Sequence, residues 1–352
     1  MSVTIKDVAK QANVSVATVS RALNGHENVA EAVRERVLSV ANELRYSPHH
    51  AARSLSSRRT HTIGVVLPDL YGEFFSELMR GIDQGARERG LHLLVSSYHG
   101  NPAEQGAALR AMRGRVDGLL VMSPFVGDTG MVRDNLSPGM PAVLMNSSVA
   151  ETGLRAVSID NYGGAREMVR HLVAAGHRRI AFIAGPDNNF DASERLRGYR
   201  DELAASLPDA RPWILEGDFH EASGHRAGGE LLVGPERPDA VFAANDMMAL
   251  GCLFALNHAG VQVPRDIAIA GFDDIPLARY VHPSLTTMRV DIAALGGRAL
   301  HMLLDSIAGT RAEPGDGMEQ GEPLVPGLMV RDSSVAGAGG SMARASAAAA
   351  EA

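Results

Sequence analysis

The chain has 352 residues, more than one ordinary hydrophobic core holds, which predicts two or three domains. The N-terminus has no apolar run and no segment approaches the roughly 20 apolar residues of a membrane span, so we expect a cytoplasmic protein without a signal peptide. A single cysteine, Cys252, cannot form an intrachain disulfide, and its apolar helical surroundings favour a buried packing role over a nucleophile.

The first elements along the chain are two short helices. Apolar residues at helical spacing predict one helix over residues 5–12 and a second one, capped by Ser15, that ends near Asn24. The short link makes the helices cross sharply, and the second helix carries small or hydrogen-bonding side chains between its apolar positions. This is the pattern of a helix-turn-helix that reads DNA, although the same helices could begin a small bundle that binds no DNA.

The distribution of charge favours DNA binding. The first 60 residues hold nine Lys and Arg against five Asp and Glu, whereas the rest of the chain holds 25 basic and 36 acidic residues. A basic head on an acidic body is expected when only the head meets phosphate.

From about residue 62, short apolar runs rich in β-formers alternate with amphipathic helical segments. The helical segments include residues 74–89, 161–175 and 192–203. This alternation predicts parallel sheets covered by helices on both faces, and its length predicts two α/β lobes. Strands are predicted at residues 62–67, 91–96, 118–122, 142–145, 179–184, 240–243 and 267–271.

The chain resembles the lactose-repressor (LacI/GalR) family of bacterial transcription regulators, and the resemblance covers all but its last residues. It begins with the helix-turn-helix run Thr4 to Asn24, a third amphipathic helix over residues 32–44 and the segment Tyr46-Ser47-Pro48. It continues through Pro68-Asp69, Gly176-His177-Arg178-Arg179-Ile180, Glu194-Arg195-Leu196-Arg197-Gly198-Tyr199, Asn245-Asp246, Gly271-Phe272-Asp273-Asp274 and Pro283-Ser284-Leu285-Thr286-Thr287.

The resemblance implies an α/β architecture with an N-terminal all-α helix-turn-helix head and a two-lobed, periplasmic-binding-protein-like (type I) body of parallel sheets flanked by helices. It also implies three crossings between the lobes, near residues 159, 287 and 320. The Gly, Ala and Ser tail lacks any leucine heptad, which favours a homodimer. The expected boundaries are 1–47 for the head, 48–60 for a hinge helix and linker, 61–335 for the body and 336–352 for a disordered tail.

For the head, the resemblance implies contacts with a pseudopalindromic double-stranded operator. Val16 and Ala17 would choose the half-site through thymine methyl groups, and Arg21 would contact a guanine. In the hinge, Leu55 would wedge between base steps, whereas the alternative is a flexible linker whose leucine docks on the body. The predicted DNA-binding residues are Thr4, Ser15, Val16, Ala17, Thr18, Ser20, Arg21, Asn24, Asn28, Ala52 and Leu55, of which Thr18 could equally be a packing residue.

For the body, the resemblance implies a small effector held between the lobes. Aromatic rings beside Asp, Asn and Arg are the chemistry of sugar recognition, which favours a mono- or disaccharide. Alternatives remain: Phe74 could be core, Arg195 could pair with Glu194 or Glu202 on the surface, and Asn245 could only cap a helix. The predicted effector-binding residues are Asp69, Tyr71, Phe74, Asn189, Asp191, Arg195, Phe219, Asn245 and Asp273.

Other classes of function fit less well. The family's purine-binding branch has an arginine and a threonine where this chain has Asn189 and Asp191, and an acidic residue there favours a neutral polyol. A transport-type binding protein would need a signal peptide and no DNA-binding head. The sequence contains no phosphate loop and no Cys/His metal spacing, so we expect no enzyme activity, no metal and no cofactor.

Overall fold

The structure is a computed structural model that describes residues 3–23, 28–46, 59–125, 129–147, 154–234, 236–309 and 322–335. It divides into two compact units, Met1–Thr60 and His61–Ala352. Several predictions fall outside the described residues: the roles of Asn24, Ala52 and Leu55, most of the hinge, and the tail.

Three short helices form the first unit around a small apolar core. Val8, Val19 and Val37 are fully buried in it, one from each helix. Because each helix is too short to be stable alone in water, this shared core is what holds them. The helices are α1 (Ile5–Gln11), α2 (Val16–Leu23) and α3 (Glu31–Glu43).

The turn between α1 and α2 is fixed by local hydrogen bonds. Asn13 adopts a left-handed backbone conformation with φ of 52°, which asparagine tolerates better than most residues. The hydroxyl oxygen of Ser15 accepts a hydrogen bond from the backbone N–H of Thr18 at 3.1 Å. This confirms the prediction that Ser15 caps the second helix.

The first lobe of the second unit is a parallel sheet with strand order β2-β1-β3-β4-β5. Residues 63–67 of β1, an interior strand, are all buried, as expected for a sheet covered on both faces. The strands are β1 (Thr62–Leu67), β2 (His92–Ser97), β3 (Gly118–Met122), β4 (Ala142–Met145) and β5 (Arg155–Val157), and the helices are α4 (Glu73–Arg87), α5 (Pro102–Ala111) and α6 (Thr129–Asn135).

The second lobe is a sheet with strand order β11-β10-β9-β8-β6-β7, parallel except for β11, which runs antiparallel to β10 at the edge. Its strands are β6 (Ile180–Ile183), β7 (Trp213–Leu215), β8 (Ala240–Ala243), β9 (Ala268–Asp273), β10 (Thr286–Arg289) and β11 (Gly327–Met329). Its helices are α7 (Asn161–Ala174), α8 (Phe190–Ser206), α9 (Glu221–Val233), α10 (Asp246–His258) and a 3₁₀ turn at Pro276–Arg279.

The chain passes between the lobes three times, as the resemblance implied. It leaves the first sheet after β5, returns after β10 to place α11 (Ile292–Ala308) against α4 of the first lobe, and re-enters the second sheet at β11. Glycines let α4 and α11 approach closely: a Cβ on Gly81 would lie 1.9 Å from the carbonyl oxygen of Ala293.

The prediction of two parallel α/β lobes is confirmed, and each of the seven predicted strands is present within one or two residues of its expected limits. The strands β5, β7, β10 and β11 were not predicted. β5, β7 and β11 have only three residues each, too few to show a pattern, and the sequence Thr-Thr-Met-Arg of β10 is not an apolar run.

Candidate functional site

One face of α2 carries the predicted reading residues of the head. Val16, Ala17 and Arg21 are exposed, whereas Val19 and Ala22 of the same helix are buried in the core. The first group lies at i, i+1 and i+5, so its members share the solvent side of the helix. An exposed helix face with small residues beside an arginine can approach base edges closely.

The other described residues predicted to contact DNA also lie at the surface of the head. Thr4, Ser15 and Asn28 are exposed, and Ser20 is half-buried. Thr18 is half-buried, and its hydroxyl lies 2.9 Å from that of Ser15. Thr18 therefore takes part in the cap of α2, and its contact with DNA stays a prediction.

A cleft between the two lobes encloses a cavity of about 270 Å³. The structure brings together in its lining all the residues that were predicted to bind an effector: Asp69, Tyr71, Phe74, Asn189, Asp191, Arg195, Phe219, Asn245 and Asp273. The first three follow β1 of the first lobe and the others belong to the second lobe, so anything bound here touches both lobes. Their placement agrees with the rule that ligands sit beyond the carboxyl ends of parallel strands.

Arg195 is the centre of a buried polar network on the second-lobe side of the cleft. Its Nη2 lies 3.1 Å from a carboxylate oxygen of Asp273, and its Nη1 donates to the carbonyl oxygen of Ala244 at 2.6 Å. Its Nε donates to the side-chain oxygen of Asn161 at 2.8 Å, and its guanidinium stacks on the ring of Phe272, 3.9 Å from the centroid. These contacts fix the guanidinium in one orientation.

The predicted alternative for Arg195, a surface pair with Glu194 or Glu202, is wrong. Glu194 pairs with Arg197, and Glu202 pairs with Arg166. Arg195 is only 3% exposed because its side of α8 faces the cleft floor.

Burial raises the pKa of two carboxyl groups that line the cleft. Desolvation raises the pKa of Asp191 and that of Asp273 to about 6, although the charge of Arg195 acts in the opposite direction on both. The side-chain amide of Asn161 donates to Asp191 at 2.8 Å. Behind the cleft, burial and the nearby Asp273 also raise the pKa of Asp246 well above its ordinary value.

Asn245 and Asn189 have structural roles in addition to their place in the cleft. Asn245 caps α10 by accepting from the backbone N–H of Met248 at 3.0 Å, as the alternative predicted, and its amide donates to the carbonyl oxygen of Phe219 at 2.9 Å. Asn189 caps α8 in the same way through Ala192. A helix N-terminus thus points towards the cleft at both positions.

The aromatic walls come from both lobes. Phe74 and Phe75 form an edge-to-face pair with centroids 5.5 Å apart, and both are half-buried and line the cleft, so neither is purely core. Phe219 lines the cavity from the second lobe and has a left-handed backbone conformation, with φ of 73°. Asp273, at the end of β9, has a strained φ of 115°, and such strain concentrates at functional sites.

Sequence reasoning missed several residues that shape the cleft. Asn161 bridges Arg195 and Asp191, but at the start of α7 its sequence signal is only that of a helix beginning. His99, Asp218 and His220 also line the cavity. They lie in loops between a strand and the next helix, where the sequence shows no periodic pattern.

Other kinds of site are not evident in the part of the chain that the structure describes. It contains no cluster of three His, Cys, Asp or Glu side chains arranged for a metal ion. None of its helices combines the length and apolar character needed to cross a membrane.

Comparison with known proteins gives a consistent result for both units. Residues 4–49 match the profile of bacterial regulatory proteins of the lacI family, and residues 169–334 match that of a periplasmic binding protein-like domain. The chain is 37% identical over 316 residues to the HTH-type transcriptional repressor PurR of Escherichia coli, covering 88% of this chain and 92% of that protein.

Solved structures extend the similarity to the whole fold. A Lac repressor dimer bound to operator and the anti-inducer ONPF matches with a TM-score of 0.85 at 30% identity, covering 96% of this chain and all of the other. The transcriptional regulator CelR in complex with cellobiose matches with a TM-score of 0.67 at 33% identity, covering 94% of this chain and 99% of the other.

Proposed function

Because this chain belongs to the LacI family of bacterial regulatory proteins, we propose that it is a sequence-specific transcriptional repressor whose operator affinity is controlled by a sugar. The observation that carries the proposal is the combination of two features in one chain: the exposed face of α2 and a two-lobed cleft lined by aromatic and carboxylate side chains. It acts in the cytoplasm as a homodimer.

The DNA-binding half of the proposal is supported by the surface of the head. Val16 and Ala17 offer apolar contact to thymine methyl groups, and Arg21 offers a bidentate donor pair to guanine. Two heads in a dimer require two half-sites related by two-fold symmetry. Selection of binding sites from random duplex DNA should therefore enrich a pseudopalindrome, and enrichment of no sequence would contradict the proposal.

The charge of the cleft supports a neutral polyol as effector. Among the described lining residues, Asp69, Asp191, Asp218 and Asp273 supply carboxyl groups, while the guanidinium of Arg195 is engaged by Asp273. A phosphate or carboxylate on the ligand would meet repulsion here. Sugar hydroxyl groups can instead donate to the carboxylates while the ring C–H groups lie on an aromatic face.

A purine base is the second candidate because the flat rings of Phe74 and Phe219 could also enclose an aromatic ligand. Against it, Asn189 and Asp191 occupy the positions where the purine-binding branch of the family has arginine and threonine. An acidic group there would face the electron-rich carbonyl of a nucleobase.

Differential scanning calorimetry against a panel of neutral sugars, sugar phosphates and purines separates these classes. A true ligand at a hundred times its dissociation constant should stabilise the body by about 2.7 kcal/mol. We expect a neutral mono- or disaccharide to raise the melting temperature. Stabilisation by a purine alone would replace the sugar proposal, and stabilisation by a sugar phosphate alone would contradict the charge argument.

A further inference from the structure

Tyr71 and Glu221 join the two lobes across the mouth of the cleft. Tyr71 lies between β1 and α4 in the first lobe, and Glu221 is the first residue of α9 in the second. The phenol hydroxyl of Tyr71 donates to Oε1 of Glu221 at 2.5 Å, and its ring lies 5.8 Å from that of His220. Tyr71 and His220 both line the cavity, so this contact forms part of its rim.

Other hydrogen bonds also join the lobes: one links the side chains of Asn146 and Asp191, and two more involve the backbone. The N–H of Leu277 donates to Oε2 of Glu73 at 2.9 Å, and the N–H of Phe190 donates to the carbonyl oxygen of Pro124 at 2.6 Å. The Tyr71 contact differs in its exposure, because Asn146 and Asp191 are both buried whereas Tyr71 lies at the surface. It can be removed by deleting one hydroxyl group, without changing the backbone.

The net free energy of this contact should be small, so it favours one lobe orientation without fixing it. Tyr71 is 55% exposed, so its hydrogen bond replaces one that water would make readily when the lobes part. The second carboxylate oxygen of Glu221 is buried and has no hydrogen-bond partner among the described residues, which adds a desolvation cost to the joined state. The net preference is therefore small enough for a ligand to reinforce or overcome.

We propose that Tyr71 and Glu221 form a clasp that favours the lobe orientation seen here and thereby sets the apparent affinity of the cleft for its effector. The second half of this statement rests on the proposed function, whereas the first half concerns the ligand-free protein. Loss of the clasp should lower the ratio of joined to parted lobes by about two- to tenfold, the range that one net hydrogen bond provides.

Distances between nitroxide labels, measured by double electron–electron resonance without ligand, test the clasp. Cysteines replacing Arg87 and Val233 place one label on each lobe at positions that are 80% and 87% exposed, and the native Cys252 is fully buried. Excess unlabelled protein suppresses distances between protomers. The variant is Tyr71→Phe, and the matched control is Tyr162→Phe, which removes a hydrogen bond to Asp201 of 3.0 Å within the second lobe.

The expected result is a larger population at the longer distance in Tyr71→Phe, and an unchanged distribution in Tyr162→Phe. Glu221→Ala should give the same shift, and the double variant should add nothing to either single change, because one interaction is lost in all three. Superimposable distributions for wild type, Tyr71→Phe and Glu221→Ala would overturn the clasp. If the distances shift but no sugar binds, the clasp stands and the sugar proposal fails.

Discussion

The guanidinium of Arg195 and the carboxylate of Asp273 meet 3.1 Å apart with side chains that are only 4% and 5% exposed. Burying such a pair costs desolvation free energy. Removing one partner costs more, because the other charge then remains buried and unpaired. The same two groups are among those predicted from the sequence to hold the effector. We therefore propose that one network serves both stability and effector recognition, and the first prediction tests its contribution to stability.

Arg195→Ala should lower the free energy of unfolding by about 3–5 kcal/mol, since it leaves Asp273 buried and unpaired. Arg197→Ala, two residues further along α8, should cost about 1 kcal/mol or less because Arg197 is half-exposed and pairs with Glu194 at the surface. Urea unfolding followed by circular dichroism measures both. Equal losses in the two variants would mean that the buried network contributes nothing special.

The second prediction concerns pH and follows from the raised pKa of Asp191, about 6 against 3.8 for an ordinary aspartate. Between these values the folded protein holds a proton that the unfolded chain has lost. The contribution of Asp191 to the free energy of unfolding therefore falls as the pH rises from about 4 to about 6, and it is lost at pH values well above 6.

Asp191→Asn removes this titration while keeping the shape of the side chain. When the pH is lowered from 7.5 to 4.5, the free energy of unfolding of the wild type should rise by about 1–2 kcal/mol relative to that of the variant. Each unit of pKa shift corresponds to about 1.36 kcal/mol, and this pH range covers most of the shift. Unfolding curves at several pH values give the difference directly. A difference that does not change with pH would contradict the raised pKa.

Two glycines of α9 provide the third prediction. A Cβ on Gly224 would lie 2.0 Å from the carbonyl oxygen of Met248 in α10, whereas one on Gly229 would meet nothing within 4 Å. Gly224→Ala should destabilise the body by about 1–3 kcal/mol, the cost typical of overpacking. Gly229→Ala should stabilise it by about 0.5–1 kcal/mol, because alanine favours the helix more than glycine does. Thermal unfolding measures the signs, and stabilisation by Gly224→Ala would show that the helices separate easily.

The sequence predicted more of the cleft than of the edges of the sheets. The family resemblance placed Asp69 and Asp273 in the cleft, and the structure agrees because each lies at or just beyond the carboxyl end of a buried parallel strand. Asn161 could not be placed, since its importance comes from reaching Arg195 on another helix, 34 residues away in sequence. The short edge strands β7 and β11 were missed because their pairing partners, and not their own apolar pattern, determine them.

Arg21 provides the fourth prediction. If it reads a guanine, Arg21→Ala should weaken binding to the selected operator by about 1–3 kcal/mol and change binding to nonspecific DNA far less. Arg36→Ala, which removes the same charge from an exposed position on α3, should weaken binding to both DNAs to a similar extent. Gel-shift titrations at one salt concentration compare them. If Arg21→Ala lowers the affinity for both DNAs equally, Arg21 contacts a phosphate and does not read a base.

The last prediction connects the cleft with the operator. A sugar that touches both lobes favours one orientation of the lobes, and we expect the head pair of the dimer to fit the operator less well in that orientation. Sugar should therefore weaken operator binding. Asp273→Asn, which keeps the size of the side chain but removes its charge, should lose the sugar response while retaining ligand-free operator binding.

Thermodynamic linkage makes this coupling testable from either side. If sugar lowers operator affinity by some factor, the operator must lower sugar affinity by the same factor, since the four binding free energies form a closed cycle. Isothermal titration of the sugar into protein with and without saturating operator measures that factor directly, and gel shifts at increasing sugar concentration measure it from the other side. Identical sugar affinities in the two titrations would show that the cleft and the operator site are not coupled, whatever the sugar's own affinity.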